Sequence, residues 1–191
     1  MAGPSRSFHV LTPRTVIVAT PTEAIEQRLK VDNFYADVDL GPKAAANMDY
    51  QVVSVRFPPD WPGESLDLFP AWLERRRADD VVPEPWTGTI IDLESLTAVG
   101  QMGCKALPDE RGKVELVYGT NAGVRDRGYA TEAGGAFVNW LLEQPGVQSV
   151  VAECLVTNAA SVRVIEKLGF ELLEEREDEE GRLLRWEKRR A

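Results

Sequence analysis

The chain has 191 residues, 43% of them hydrophobic and 28% charged, the balance of an ordinary globular domain long enough to bury a core. A formal net charge of −9 argues against nucleic acid or an anionic membrane surface as the main partner. The two cysteines, Cys104 and Cys154, and the one histidine, His9, show no zinc spacing, so no metal site is expected and buried thiols in a reducing, cytoplasmic setting are. The opening MAGPSRSFH has no apolar signal core, and no stretch approaches the ~20 apolar residues of a membrane span.

Residues 15–19 (TVIVA) are a β-branched run and predict a strand. Thr20, Pro21 and Glu23 then form a capping box, predicting a helix to about Val31 with Ile25 and Leu29 on one face. Residues 33–64 show no clear period apart from a candidate strand over 50–57, and FPPDWPG (57–63) excludes regular structure through its prolines and glycine. Ser65 is placed to cap a helix through Arg77, with Pro70 inside it. The aromatics of this half, Trp61, Phe69, Trp72 and Trp86, read as core before pocket.

Beyond residue 86 the pattern changes. Runs at 87–92, 98–105 and 113–120, joined by LESL and LPDERG, predict an antiparallel meander. Ala133, Ala136, Phe137, Trp140 and Leu141 recur at helical spacing until Pro145-Gly146 stops them. Residues 149–156 (SVVAECLV) read as a buried strand. Asn158 opens a second helix carrying Val162, Ile165 and Leu168 on one face, and Gly169 ends it. Residues 170–173 and 182–187 close the chain as a hairpin. A strand–helix–strand unit inside an otherwise antiparallel set predicts an α+β fold, a mixed sheet covered by helices.

The loop 121–127 joins a strand to a helix that starts near Gly128, and Arg125 and Arg127 flank Asp126 within it. A helix N-terminus with free N–H groups and a glycine that lets backbone come close can hold an anion. The loop is neither a GxxxxGK[ST] phosphate loop nor a GxGxxG turn, and a plain solvated loop is the alternative.

Arg125-x-x-Gly128-x-Ala130 resembles motif A of the GNAT superfamily of acyl-CoA-dependent N-acyltransferases. The longer RGYATEA (127–133) is similar to the branch typified by ribosomal-protein-alanine N-acetyltransferases. Downstream, TNAASVRVIEKLGFELL (157–173) resembles that branch's second motif, in the expected order and on the expected elements. The resemblance covers roughly residues 87–188. It implies one N-acetyltransferase domain over 1–191, divided into a variable acceptor-side part (1–86) and an acyl-CoA-binding core (87–191). The implied fold is a mixed, mostly antiparallel twisted sheet with a central splayed parallel pair, flanked by helices. The implied co-substrate is acetyl-CoA, and the implied partner is a primary amine at a protein N-terminus or on a small molecule. A homodimer stays open.

Residue by residue, the resemblance implies a CoA pyrophosphate held by backbone amides from Arg125 through Asp126, Arg127, Gly128 and Tyr129 to Ala130, with help from Thr131. The pantetheine would lie along Tyr118, Gly119 and Thr120, with Asn158 bonded to it and Ser161 near the sulfur. Glu153 interrupts an apolar strand, where a lone carboxylate is costly unless solvated, paired or functional. It corresponds to the family's catalytic glutamate, expected to face the slot as a base of raised pKa, with Glu115 on the preceding strand as the understudy. Ile165 stands where many relatives carry a tyrosine that protonates the leaving thiolate. A thiol pKa of about 8.5 and an α-amine pKa of about 7.7–8.0 make both proton transfers tolerable without it, whereas a lysine amine at about 10.4 would need a stronger base. Two alternatives follow: a non-catalytic acyl-CoA-binding or regulatory module, and a transferase using another acyl-CoA.

Overall fold

A computed structural model describes residues 7–45, 51–77, 85–179 and 181–190. Among them ten strands share one sheet: β1 His9–Leu11, β2 Thr15–Ala19, β3 Phe34–Asp39, β4 Val52–Phe57, β5 Thr87–Asp92, β6 Thr97–Cys104, β7 Lys113–Thr120, β8 Ser149–Leu155, β9 Glu171–Asp178 and β10 Gly181–Arg189. The α-helices are α1 Thr22–Arg28, α2 Gly41–Ala45, α3 Phe69–Arg77, α4 Tyr129–Glu143 and α5 Ala159–Lys167. The order across the sheet is β1-β2-β5-β6-β7-β8-β10-β9, and the β3–β4 hairpin joins it through β4 and β6. Neighbours are antiparallel except β7 with β8 and the single bridge from Arg56 to Thr97. This is the mixed sheet that the sequence pattern predicts, mostly antiparallel with the central parallel pair that the GNAT resemblance implies.

The strand pleat sends alternate residues to two cores. Ile17 joins a cluster with Phe137, Leu141, Val150 and Ile165 beneath α4 and α5. Val16 and Val18 join the other, with Phe57, Trp61, Phe69 and Ile91 beside α1 and α3. Trp61, Phe69 and Trp86 are buried, as expected of core aromatics, while Trp72 is only half-buried.

Several elements depart from the sequence expectations. Thr20 does not cap α1: the N-cap is Pro21, no side chain caps the helix, and α1 stops at Arg28. The Thr20 hydroxyl turns instead into the sheet, where it donates to Gln101 and accepts from Thr89. The helix expected over 65–77 divides into a 3-10 segment, Gly63–Leu68, and α3 from Phe69. Pro70 falls in the first turn of α3, where its missing N–H would have had no partner. β3 lies where no clear period was read, although its burial alternates along FYADVD. β1 has no sequence counterpart in the expected set, and β9 and β10 are longer than the expected hairpin.

The feature that shapes the site is a fork. β7 and β8 pair from Lys113↔Ser149 to Leu116↔Ala152 and then stop. β7 remains paired with β6 as far as Thr120, and β8 with β10 as far as Leu155. Residues 117–120 of β7 and 153–155 of β8 therefore present free backbone edges to the gap between them. The closed end is pinned by Glu187, whose carboxylate is 3% exposed. It accepts from Lys113 Nζ at 2.9 Å, Ser149 Oγ at 2.8 Å and Arg189 Nε at 2.8 Å.

The Lys113 hydrogen bond, foremost, outweighs burial and lowers the Glu187 pKa from its ordinary 4.5 to about 2. A depressed carboxylate contributes stability that is complete above pH 4.5 and lost as pH falls toward 2. Glu187→Gln is expected to lower Tm at neutral pH and to flatten the decline of Tm with acid across that window, measured by thermal unfolding as a function of pH.

Candidate active site

β7 leads into the loop through Asn121, which is buried and donates from Nδ2 to Ala98 O at 2.8 Å and from its amide to Val99 O at 2.9 Å. A 3-10 turn over Ala122–Val124 follows. Asp126 (φ 61°) and Gly128 (φ 81°) are both left-handed, a conformation that aspartate tolerates and glycine adopts freely. Gly128 is the N-cap of α4 and supplies no side-chain cap. Among the described residues no side chain caps the first-turn amides of the 15-residue α4.

An acidic first-turn residue, Glu132, would repel an anion placed there. It is drawn away. Glu132 Oε1 accepts from Thr12 Oγ1 at 2.7 Å and from the Arg14 amide at 2.9 Å, and Oε2 accepts from Arg14 Nε at 2.7 Å. Burial pushes the Glu132 pKa up, but these bonds from Thr12 and Arg14 outweigh it, and the net shift is downward. The same Arg14 guanidinium donates to Arg127 O at 3.2 Å and lies over the Tyr129 ring at 4.9 Å. Tyr129 in turn donates to Asp92 Oδ1 at 3.0 Å. The turn between β1 and β2 therefore clamps the loop from behind.

In front of the loop lies an open cleft of about 1200 Å³. It runs from the 3-10 segment and α3 across β6 and β7 into the gap beside α5. Its lining includes the cations Arg75, Arg76, Lys105, Arg125, Arg163 and Lys167 against the carboxylates Glu64 and Asp126. A chain of net charge −9 thus concentrates positive charge around one concavity, which raises the local concentration of anionic ligands.

Residues 28–171 match the family model described as an acetyltransferase (GNAT) domain. The chain belongs to the GNAT acetyltransferase family. The match starts well before residue 87, so the N-terminal half shares more with the family than the motifs alone indicate. The chain is 36% identical over 81 residues to an uncharacterized N-acetyltransferase, YjdG, of Bacillus subtilis (strain 168); the match covers 42% of this chain and 48% of that relative, so it spans about half of the relative's length. Among solved structures, a GNAT-family acetyltransferase from Bacillus anthracis superposes with a TM-score of 0.63 at 12% identity, covering 96% of this chain and 99% of that one. The α-N-protein acetyltransferase RimL in complex with coenzyme A gives 0.66 at 12% identity, covering 95% and 98%. At these identities the superpositions speak for the fold.

This GNAT domain brings most of the expected binding residues into the one cleft. Tyr118, Gly119, Thr120, Arg125, Asp126, Gly128, Tyr129, Ala130, Thr131, Asn158 and Ser161 all line it. Arg127 lies outside that lining: its carbonyl is engaged by Arg14 and its side chain is exposed. Asn158 is the N-cap of α5 and accepts from the Ser161 amide at 3.1 Å. The Tyr118 hydroxyl donates to Ser161 O at 3.4 Å, and burial, chiefly, raises its pKa. Cys104 also lines the cleft, but burial pushes its thiol up to about 12, far from a thiolate.

The two carboxylates stand differently from the expectation. Glu153 does not line the cleft; it accepts from Arg176 of β9 at 3.0 Å and pairs with Arg185 of the adjacent β10 at 3.4 Å. Glu115 is paired with Lys105 at 3.1 Å. Ile165, on the inner face of α5, is fully buried, its side chain part of the core. Sequence reading did not single out Arg14 or Glu132, which lie 118 residues apart and meet only in the fold. It also passed over Gln101, although a polar residue inside AVGQMGC carries the same signal as Glu153 inside its apolar strand. Among the described residues no group of His, Cys, Asp and Glu could hold a metal, and no helix is long and apolar enough to cross a membrane.

Two variants separate the loop's own geometry from its clamp. Gly128→Val places a branched residue at φ 81° and is expected to abolish the thermal stabilisation given by acetyl-CoA. Arg14→Ala removes the guanidinium behind the loop without touching the cleft and is expected to weaken acetyl-CoA binding about tenfold, read by calorimetry.

Proposed function

We propose that this protein is an acetyl-CoA-dependent N-acetyltransferase that acts on a primary amine by direct attack in a ternary complex. The observation that carries the reading is the fork: a free β7 edge at residues 117–120 opens into the same cleft as the uncapped N-terminus of α4. An extended amide chain can pair with the first, and a pyrophosphate can sit at the second. In this reading residues 87–191 form the acyl-CoA core and residues 1–86 the acceptor side of a single cytoplasmic domain. Tyr118, Gly119 and Thr120 pair with the pantetheine. The amides from Arg125 to Ala130, with Thr131, hold the pyrophosphate, assisted by the Arg125 side chain, while Arg127 contributes through its backbone. Asn158 bonds the pantetheine arm.

The reaction forms an N–C bond as the amine attacks the thioester carbonyl, and the C–S bond breaks. The nitrogen gives up a proton, and the departing thiolate takes one up. Ser161, on the cleft wall near the fork, donates to the sulfur. Glu153 is the first residue of β8 past the end of its pairing with β7, and it accepts the amine's proton through water. Glu115 stands one step inside the paired region and is the alternative. An α-amine pKa of about 7.7–8.0 leaves roughly a tenth of the nucleophile neutral at pH 7, so positioning in the fork supplies much of the rate.

The buried Ile165, which offers no hydroxyl, favours a second reading, an acyl-CoA-binding module without turnover. Free-thiol release across a panel of N-terminal peptides, amino acids, polyamines and aminoglycosides decides between them, and competition among acyl-CoAs tests the donor. Acetyl-CoA is expected to raise Tm and to release thiol with at least one amine class. No thermal shift with any acyl-CoA would sink the reading, and a shift without thiol release favours the second. Glu153→Gln is expected to lower kcat about a hundredfold with the thermal shift retained; unchanged turnover moves the proton to Glu115 or to water.

A further inference from the structure

The wall of the cleft beside α3 carries a donor that acetyl transfer leaves unused. Gln101, on β6, lines the cleft although it is only 6% exposed, and its buried Nε2 has no hydrogen-bond partner among the described residues. Its Oε1 accepts from Thr20 Oγ1 at 3.3 Å, and that hydroxyl accepts from Thr89 Oγ1 at 3.2 Å. The amide nitrogen is therefore the end left for a ligand. Buried polar atoms in native proteins find partners, so an orphan within the wall of a cleft points to a ligand.

Thr20 ties this amide to the arginines of α3. Its carbonyl accepts from an Arg76 guanidinium nitrogen at 2.9 Å, and the same nitrogen reaches Thr22 Oγ1 at 3.2 Å. Arg76 and Gln101 thus both bond to Thr20, and both line the cleft. Arg75 lines it as well, exposed and paired with no carboxylate among the described residues. Arg75, Arg76 and the Gln101 amide nitrogen are all donors, two of them charged. Trp72, half-buried on the same wall, adds an apolar face.

We propose that this wall is the carboxylate subsite of the acceptor, and that the protein acetylates a small amine which also bears a carboxylate, such as a free amino acid. The proposal rests on the acetyl-transfer reading and specifies its substrate class. The carboxylate docks on Arg75, Arg76 and Gln101 Nε2, bonds to charged groups being the strong ones. The amine, beside the carboxylate, is then directed from β6 toward β7, the strand paired with it at Gln101↔Gly119. A polyamine or aminoglycoside would set its own cations against two guanidiniums. An N-terminal peptide has no carboxylate next to its amine unless a side chain supplies one.

The test compares matched pairs, amino acids and their carboxamides, alongside spermidine, with acetyl-CoA and free-thiol release as the readout. The wild-type protein is expected to prefer the acids by at least about tenfold in kcat/KM, since a site built to bond a polar group discriminates against analogues lacking it. Arg75→Ala and, separately, the near-isosteric Gln101→Leu are each expected to reduce that acid-to-amide ratio about tenfold, mainly through KM. Equal turnover of acids and amides, or turnover confined to spermidine, overturns the carboxylate subsite and leaves the transferase standing. A normal acetyl-CoA thermal shift with no thiol release from any amine overturns the subsite and the transferase together. Absence of the thermal shift overturns the acyl-CoA reading itself.

Discussion

The parallel ladder between β7 and β8 stops after Leu116 and Ala152, and the rest of the site depends on that stop. A continuous ladder would consume the β7 edge and leave no slot. Each strand is nevertheless held on its outer side, β7 by β6 and β8 by β10, so the gap is rigidly framed. The backbone groups that face it cannot satisfy each other, and an extended amide-bearing chain can satisfy them. Glu187 secures the closed end by joining the first residues of both strands, Lys113 and Ser149, to β10. The opening is thereby confined to one end.

A second constraint is electrostatic. A chain with net charge −9 must still receive a polyanionic ligand in this reading, and it does so by local arrangement. Glu132, the acid that the helix dipole would welcome in the first turn of α4, is neutralised from behind by Arg14 and Thr12. That pairing also fixes the loop, because the same guanidinium holds the Arg127 carbonyl and covers Tyr129. Cations on the loop, on α3 and on α5 then line the cleft on several sides.

The carboxylates illustrate how environment assigns a role. A glutamate in an apolar strand can be a base or half of an ion pair, and only its neighbours decide. Glu153 has Arg185 directly across on β10 and Arg176 on β9, so its carboxylate is already half of an ion pair. Gln101 is the converse case, a buried polar side chain with one end held and the other unmatched. The second kind of residue is the better pointer to a ligand, because nothing among the described residues accounts for it.

The sequence by itself determined the local parts. Hydrophobic spacing located α4 and α5, alternation located the β5–β7 meander, and Gly128 and Asn158 marked where the two helices begin. These depend on neighbours a few residues away, so periodicity and capping chemistry expose them. The GNAT motifs lie on those same local elements, which is why that side of the cleft was legible first. Tertiary structure decided what depends on distant pairing: that the β7–β8 ladder ends early, that Arg14 meets Glu132 across 118 residues, and that Thr20 meets Gln101 across 81. Thr20 shows the reason within one side chain. Locally it has the chemistry of a helix cap, but the sheet offered its hydroxyl Gln101 and Thr89, and the cap was left empty. Sequence spacing records what a residue can bond, and the fold chooses among the partners it brings within reach.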